Sequence, residues 1–134
     1  MANEAVLKIE THIPINYTCS TTVTIEKGAI VKNTDPMTAV LSSGHNDIVA
    51  GIVQSEKLAA DTTQNSVAVF RGGVFRVTIS GSVSVGDPVV TSIVANKVGK
   101  ATINDENILG IMLEGGTNDQ TKLMELRPTT MQLA

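Results

Sequence analysis

Alternating apolar residues on both sides of a glycine pair constrain the fold of this chain more than any other feature. They occupy residues 67–90, which read VAVFRGGVFRVTISGSVSVGDPVV. A hydrophobic period of two is typical of a β-strand that buries one face. Because both positions of a two-residue Gly-Gly loop can adopt positive φ, Gly72 and Gly73 predict a tight turn. We therefore expect a β-hairpin at the centre of the fold.

The register of this hairpin predicts its buried face. With the glycines as the turn, Phe70 lies opposite Phe75 and Arg71 lies opposite Val74. Two of the three aromatic residues of the chain then form a cross-strand pair. The predicted buried face consists of Ala68, Phe70, Phe75, Val77 and Ile79.

The composition extends this prediction to the whole chain. Val, Ile and Thr, which favour pleated strands, make up about a third of the 134 residues. Clusters of Gly, Asn, Asp and Pro separate the short apolar runs. We expect one all-β domain, and a small barrel and a two-sheet sandwich fit the pattern equally well. Only residues 56–60 have a composition that suits one or two helical turns.

The two ends of the chain are expected to lie outside the β-domain, which then comprises residues 23–128. Residues 1–22 alternate loosely around Pro14. Because a proline cannot donate to a strand ladder, we interpret them as an extended N-terminal arm with at most an edge strand. Pro128 is expected to end the last strand, and residues 129–134 to form a C-terminal tail. Arms often become ordered on a partner, so the alternating residues of this arm are candidate contacts: Val6, Lys8, Ile13 and Ile15.

Two segments of the chain are similar to each other. Residues 24–53 and 82–112 each contain a strand, a glycine turn, a second strand, a polar loop and an apolar strand with one internal glycine. Chance similarity among short β segments and a duplicated strand unit both explain this, and the sequence leaves the two explanations open. The turn and strand glycines are, in order, Gly28 and Gly51 in the first segment, and Gly86 and Gly110 in the second.

The totals argue against several classes of function. A net charge of −3 and the shortage of aromatic residues disfavour nucleic-acid and carbohydrate binding. The single cysteine, Cys19, cannot form an internal disulfide, and the sequence has no signal-peptide pattern and no bilayer-spanning apolar run. We expect synthesis in a reducing cytosol, no nucleic-acid partner and no membrane partner.

Chemistry-bearing residues are scattered. His12 and His45 have no second histidine or cysteine at ligand spacing, and His45 with Asp47 alone makes a weak metal site. Cys19 has no base beside it in sequence. Aspartates occur one per turn, where their hydrogen bonding suits turn formation. We expect no catalytic residue, no metal, no cofactor and no enzyme activity.

Two arginines, Arg71 and Arg76, flank the predicted glycine turn and would be exposed together at its tip. One interpretation is a solvated hairpin end. The other is a positive contact point on an otherwise acidic protein. Both stay open from the sequence, and we retain the two residues as candidate contacts.

Several segments follow one another in a characteristic order: KGAIV at 27–31, IVAGIV at 48–53, the hairpin stretch with GDPVV at 86–90, ILGI at 108–111, and a closing strand that ends at Leu126. In this order residues 25–127 resemble the capsid cement or head decoration proteins of tailed phages. The resemblance implies a small β-barrel or β-tulip-like domain with an N-terminal arm, no catalytic residue, and a homotrimer that binds the major capsid protein. The protein would then lie on the outer capsid surface of the virion, where it stabilises an expanded head by bridging neighbouring subunits.

Two other classes of function compete with this one. A tail-fibre or receptor-recognition module is also β-rich, Thr-rich and oligomeric, although the few aromatic residues argue against glycan binding. An enzyme with a small barrel would need two carboxylates to converge from among Asp35, Asp47, Asp87 and Asp105.

Overall fold

The structure, a computed structural model, describes residues 3–130, and these form β-strands without any helix. The predicted all-β class is confirmed. No helix of this range is long and apolar enough to cross a membrane. Residues 56–60 form an isolated bridge and a turn instead of helical turns. Residues 1–2 of the predicted arm and 131–134 of the predicted tail lie outside the described range.

The described residues contain eleven strands. The strands are β1 (Val6–Ile9), β2 (Ile15–Thr18), β3 (Ile30–Asp35), β4 (Thr38–Leu41), β5 (Val49–Val53), β6 (Ser66–Phe70), β7 (Gly73–Ile79), β8 (Pro88–Thr91), β9 (Lys97–Lys100), β10 (Asn107–Met112) and β11 (Thr121–Thr130).

Strands β2 to β6 form a closed barrel, barrel 1, in the order β2-β4-β3-β5-β6. Neighbouring strands are antiparallel except β2 and β4, which pair in parallel at Thr18 and Thr38. This parallel contact closes the barrel, because the other edge of β2 pairs with β6. Apolar side chains fill the interior, among them Tyr17, Cys19, Val31, Ala50, Val53 and Val69.

Strands β7 to β11 form barrel 2, in the order β7-β9-β8-β10-β11. Here the closing contact is the parallel pairing of Thr78 with Lys97 and of Ile79 with Val98, between β7 and β9. Strand β1 lies outside this ring and pairs with the first half of β7. The interior again consists of apolar side chains, among them Val77, Ile79, Val89, Leu109, Met112 and Met124.

The two barrels repeat one strand arrangement, which favours duplication of a strand unit over chance similarity, the two explanations that the sequence left open. In each barrel the first strand pairs antiparallel with the fifth and parallel with the third, and the second pairs with the third and the fourth. The repeated unit therefore has five strands. Gly28 and Gly86 occupy the same turn, with φ of 86° and 87°.

Gly51 and Gly110 occupy the same position of the fourth strand because a side chain does not fit there. An ideal Cβ on Gly51 would lie 2.0 Å from the carbonyl oxygen of Phe70, and one on Gly110 would lie 2.3 Å from that of Glu125. The strand register shifts beside both glycines. Each glycine thus marks a close approach of the fourth strand to the fifth, as an interior strand glycine often does.

The predicted central hairpin is wrong, because β6 and β7 do not pair with each other. Both edges of β6 are occupied by β2 and β5, and both edges of β7 are occupied by strands of barrel 2 and by β1. Gly72 and Gly73 therefore connect the two barrels. Phe70 and Phe75 nevertheless contact each other edge to face, with ring centroids 5.7 Å apart.

The predicted arm contains two strands with different surroundings. Strand β1 is an edge strand, as expected, and it joins barrel 2 although it precedes barrel 1 in sequence. Strand β2 is an integral part of barrel 1, so this barrel begins within residues 1–22. At the other end Pro128 does not end the last strand, since β11 continues to Thr130 and pairs there with Asn107.

Barrel 1 packs its outer surface against barrel 2. Ile30, Ile52 and Phe70 of barrel 1 are buried in one apolar cluster with Phe75 and the core of barrel 2. At the edge of this contact, the side-chain oxygen of Asn96 accepts a hydrogen bond from the Ile30 N–H at 2.9 Å. The interface thus has an apolar centre and a hydrogen-bonded rim.

Lys57 closes one end of barrel 1. Its side chain is fully buried, and its ammonium group donates to the carbonyl oxygens of Thr21, Leu58 and Asp61 at 2.9, 2.9 and 3.2 Å. Three carbonyl acceptors match the three donors of an ammonium group. The buried charge therefore fixes the loop after β5 to the segment that precedes β3.

We expect the substitution Gly110→Ala to destabilise the fold by about 3 kcal/mol, because the added methyl group overlaps the Glu125 carbonyl. The matched control is Gly99→Ala in the same barrel, whose Cβ would come no closer than 3.4 Å to the Ser80 carbonyl. That control should lie between no change and a stabilisation of about 0.5 kcal/mol. Urea unfolding of both variants measures the difference, and equal stabilities would contradict the close approach.

Candidate binding surface

The outward side of β1, β7 and β11 forms a continuous mixed surface, here called the three-strand face. Antiparallel register aligns Val6, Arg76 and Leu123 in one row across the three strands. The next outward row is formed by Ile9, Val74 and Glu125, and between the two rows Leu7, Phe75 and Met124 point into the core. The three-strand face therefore consists of Val6, Ile9, Val74, Arg76, Leu123 and Glu125.

Charges of both signs lie on or beside this face. Arg76 lies between two apolar neighbours, and its Nη1 donates only a long 3.4 Å hydrogen bond to the Thr121 carbonyl. Glu125 forms an ion pair with Arg127 at 3.0 Å. Lys8 is exposed at the register shift of β1. An exposed apolar surface with a weakly engaged arginine at its centre is the composition that protein-binding surfaces favour.

The six candidate contacts from the sequence separate into three groups. Val6, Lys8 and Arg76 lie together on or beside the three-strand face. Ile13 and Ile15 lie instead at the start of barrel 1, in and before β2, where 86% and 44% of their surfaces are exposed. Arg71 belongs to neither surface. The sequence missed Leu123, since only the β7–β11 register places it beside Arg76. Val74, two residues before Arg76 on β7, lies on the same face by alternation but was not chosen as a contact.

Arg71 has a structural role in barrel 1. Its Nη1 donates to the carbonyl oxygen of Ala50 at 2.8 Å and to the hydroxyl oxygen of Tyr17 at 3.1 Å. Tyr17 is buried, so this hydrogen bond satisfies a polar atom inside the barrel. Arg71 and Arg76 thus differ in environment, and the predicted arginine pair at a hairpin tip does not form.

A groove of about 550 Å³ lies beside β1. Leu7, Phe70 and Phe75 are among its apolar lining residues, and Glu4 and Glu10 are among its polar ones. Burial and the neighbouring Glu26 raise the pKa of Glu4. The groove lies next to the three-strand face and extends the surface that β1 offers to a partner.

Several aspartates accept hydrogen bonds from the turns in which they lie. Burial alone raises the pKa of Asp47, but hydrogen bonds from Gly44, Ser42 and Ser43 outweigh it, and the net pKa is lowered. Asp61 and Asp87 likewise accept hydrogen bonds within their own loops.

Asp105 links the barrels as well as capping its own turn. Burial raises its pKa, while hydrogen bonds from Thr102 and from the His45 ring lower it further than burial raises it. The His45 Nε2 lies 2.8 Å from Asp105 Oδ1, so a loop of barrel 1 contacts a loop of barrel 2. Within residues 3–130 no group of three His, Cys, Asp or Glu side chains is placed to hold a metal ion.

The fold is similar to that of a solved protein, the head fiber gp8.5 N base of bacteriophage phi29. The two structures superimpose with a TM-score of 0.56, and the match covers 89% of this chain and 97% of that chain at 9% sequence identity. The likeness therefore shows a shared fold across nearly the whole of both chains. No protein-family model and no curated protein matches the sequence.

Replacing each arginine by alanine should separate the two roles. Arg71→Ala removes donors from the buried Tyr17 and Ala50 oxygens, and we expect it to lower the free energy of unfolding by roughly 1.5–3 kcal/mol. Arg76→Ala should change it by less than about 0.5 kcal/mol, because this half-buried side chain makes a single long hydrogen bond and no buried group depends on it. Chemical denaturation of both variants measures this, and a reversed order of stability would contradict the assigned roles.

Acid should destabilise the protein through Asp47 and Asp105. Both have a folded-state pKa below the usual value of about 3.9, so their stabilising contribution is complete above that value and is lost as the pH falls through the folded-state pKa. The free energy of unfolding should therefore decrease below about pH 4. Asp105→Asn should weaken this dependence in urea unfolding at several pH values, and the exposed control Asp35→Asn should leave more of it intact. Identical pH profiles for the two variants would contradict the assignment.

Proposed function

We propose that this protein is a structural component of a phage virion. In this proposal it binds the outer surface of an expanded capsid and stabilises the shell by bridging neighbouring major capsid protein subunits. The observation that carries the proposal is the fold shared with a phage head fiber base over nearly the full length of both chains. The order in which the segments of residues 25–127 follow one another resembles that of head decoration proteins, and this supports the proposal independently.

The three-strand face is the proposed contact with the capsid. It combines exposed apolar residues with Arg76 and the nearby Lys8, so it can bind an apolar seam that carries carboxylates. Strand β1 adds a second means of attachment. Within the described residues it is the last strand of its sheet, and its free edge has the geometry for accepting a strand of the coat protein.

Several copies of the three-strand face in one oligomer would bind the capsid with a higher affinity than a single copy. A homotrimer presents three copies of the face, and a ligand with several linked contacts binds far more tightly than each contact alone. Binding only to the assembled shell then stabilises that shell in proportion to the logarithm of occupancy. Neither step requires a cofactor or a catalytic residue.

A head appendage base is a second candidate, because the matched structure is itself the base of a head fiber. In this second proposal the chain binds the capsid surface and carries a projecting partner. The two candidates differ in abundance and in whether a second protein accompanies the chain on the particle.

The test is reconstitution on phage heads that lack this protein. The wild-type chain should bind at a ratio near one copy per coat subunit or one trimer per coat hexamer, measured by quantitative mass spectrometry of purified particles. The double variant Lys8→Glu with Arg76→Glu should lose about tenfold or more in apparent affinity, because the charges at the contact reverse. Lys100→Glu is the matched control on another side of barrel 2, and it should bind as the wild type does.

Each other outcome has a definite meaning. A handful of copies per head would favour an appendage base or a tail component over a decoration protein. No binding at all would overturn the proposal. Equal loss of binding in the Lys100→Glu control would remove the three-strand face as the contact.

A further inference from the structure

The two barrels use equivalent outer surfaces in different ways. In barrel 1, Ile30, Ile52 and Phe70 lie on the outside of β3, β5 and β6, and barrel 2 covers them so that at most 3% of each is exposed. This covered surface of barrel 1 contacts Phe75 on β7. The repeat makes it possible to find the same surface on barrel 2.

The register of the two barrels identifies the equivalent residues. Ile52 pairs with Phe70 in barrel 1, and Ile111 pairs with Glu125 at the same place in barrel 2. Pro88, next to Ile111 on β8, takes the position of Ile30. Barrel 2 therefore carries an uncovered copy of the surface through which barrel 1 binds its neighbour.

This uncovered surface of Pro88, Ile108 and Ile111, here called the open socket, is apolar. Pro88, Ile108 and Ile111 line a groove of about 400 Å³ on it. Leu113 follows Ile111 by two residues, and Val85 precedes Gly86, whose N–H donates to the Met112 carbonyl; they are exposed over 41% and 72% of their surfaces. An apolar groove with exposed apolar residues near it is a candidate binding site.

Barrel 1 carries the matching surface. The residue equivalent to Phe75 is Ile15, since each lies three positions before the threonine that makes the parallel closing contact. Ile15 is exposed over 44% of its surface, although Phe75 is buried against Phe70.

Two further positions extend this matching surface. Asn96 and Asn107 bind barrel 1 through hydrogen bonds to Ile30 and Asn46. Their equivalents in barrel 1 are Met37 and Ile48, exposed over 47% and 59% of their surfaces. Barrel 1 thus presents exposed apolar residues at the positions that barrel 2 uses to bind barrel 1. We call Ile15, Met37 and Ile48 the exposed ridge.

We propose that the open socket of one copy binds the exposed ridge of a second copy of this chain. The contact between copies repeats the contact that the chain already makes between its own two barrels. A second copy is the occupant that this structure identifies, because the equivalent socket in barrel 1 is filled by a barrel of the same chain. The contact is head-to-tail, and such contacts form a ring when the rotation between copies closes.

This inference deepens the proposed function, and it rests on that function only for the number of copies in the ring. A ring of three copies would place six similar barrels around one axis. Glu125 stands where barrel 1 has Phe70, so the contact between copies has a charged residue in place of the aromatic pair. Because Glu125 also belongs to the three-strand face, the open socket adjoins that face along β11.

The test uses two single-surface variants and sedimentation velocity of the purified chain without any phage particle. Ile111→Glu places a charge in the open socket, and Ile15→Glu places one on the exposed ridge. The wild type should self-associate, and each variant alone should be monomeric or associate about tenfold or more weakly. Leu58→Glu, at an exposed position on a loop of barrel 1, is the control and should associate as the wild type does.

Mixing the two variants distinguishes this contact from a symmetric one. Ile111→Glu retains an intact ridge and Ile15→Glu retains an intact socket, so the mixture should form a one-to-one dimer and nothing larger. Ile111→Gln and Ile15→Gln repeat the pattern with milder changes, and thermal melting shows that each variant is folded. Dimer formation in the mixture also demonstrates that both partners are folded.

Three results would overturn the proposal. They are a monomeric wild type at high micromolar concentration, unchanged association of either variant, and a mixture of folded variants that stays monomeric. Failure of the proposed function is recognised separately. A chain that self-associates as described but does not bind heads keeps the ring contact and loses the capsid role, and a monomeric chain that binds heads does the reverse.

Discussion

The apolar contact between the two barrels is the interaction on which the rest of the structure depends. Each barrel is a five-stranded ring with a small interior. A unit of that size buries too little surface to have a large free energy of unfolding by itself. Ile30, Ile52 and Phe70 pack against the core of barrel 2, so the contact between the barrels buries apolar surface that neither barrel buries alone. The same contact positions β1, because the strand pairs with β7 while the residue before it, Ala5, donates to the Gly28 carbonyl of barrel 1.

Local pattern was sufficient to predict the class, and it raised the repeat as one of two explanations. Alternating Val, Ile and Thr indicate strands wherever they occur, and Gly28 and Gly86 lie in turns that require positive φ. These are short-range constraints, which a few neighbouring residues reveal. The close approaches at Gly51 and Gly110, in contrast, come from the carbonyl groups of paired strands, so the sequence shows the glycines but not the reason for them.

Strand pairing depends on distant residues, and there the sequence misled. Gly72 and Gly73 suit a hairpin, but β6 and β7 find all their partners elsewhere, so the glycines connect two closed rings. Arg71 illustrates the same limit, because its acceptors on Tyr17 and Ala50 are 54 and 21 positions away in sequence. Lys57 is another example, since nothing in its neighbours predicts a fully buried ammonium group. Of the candidate surface, Val6, Lys8 and Arg76 were found from alternation and charge, while Leu123 needed the β7–β11 register.

The position of β1 determines an order of events during synthesis. It leaves the ribosome before barrel 1 does, yet its strand partner β7 begins only after Phe70, when every strand of barrel 1 has already been made. Barrel 1 can therefore close while β1 is still without its partner, since domains generally fold as units as the chain emerges. The N-terminal strand then docks against a ring that is completed more than a hundred residues later, at β11. Its pairing requires β7, and the three-strand face to which it contributes is complete only after β11 has been made.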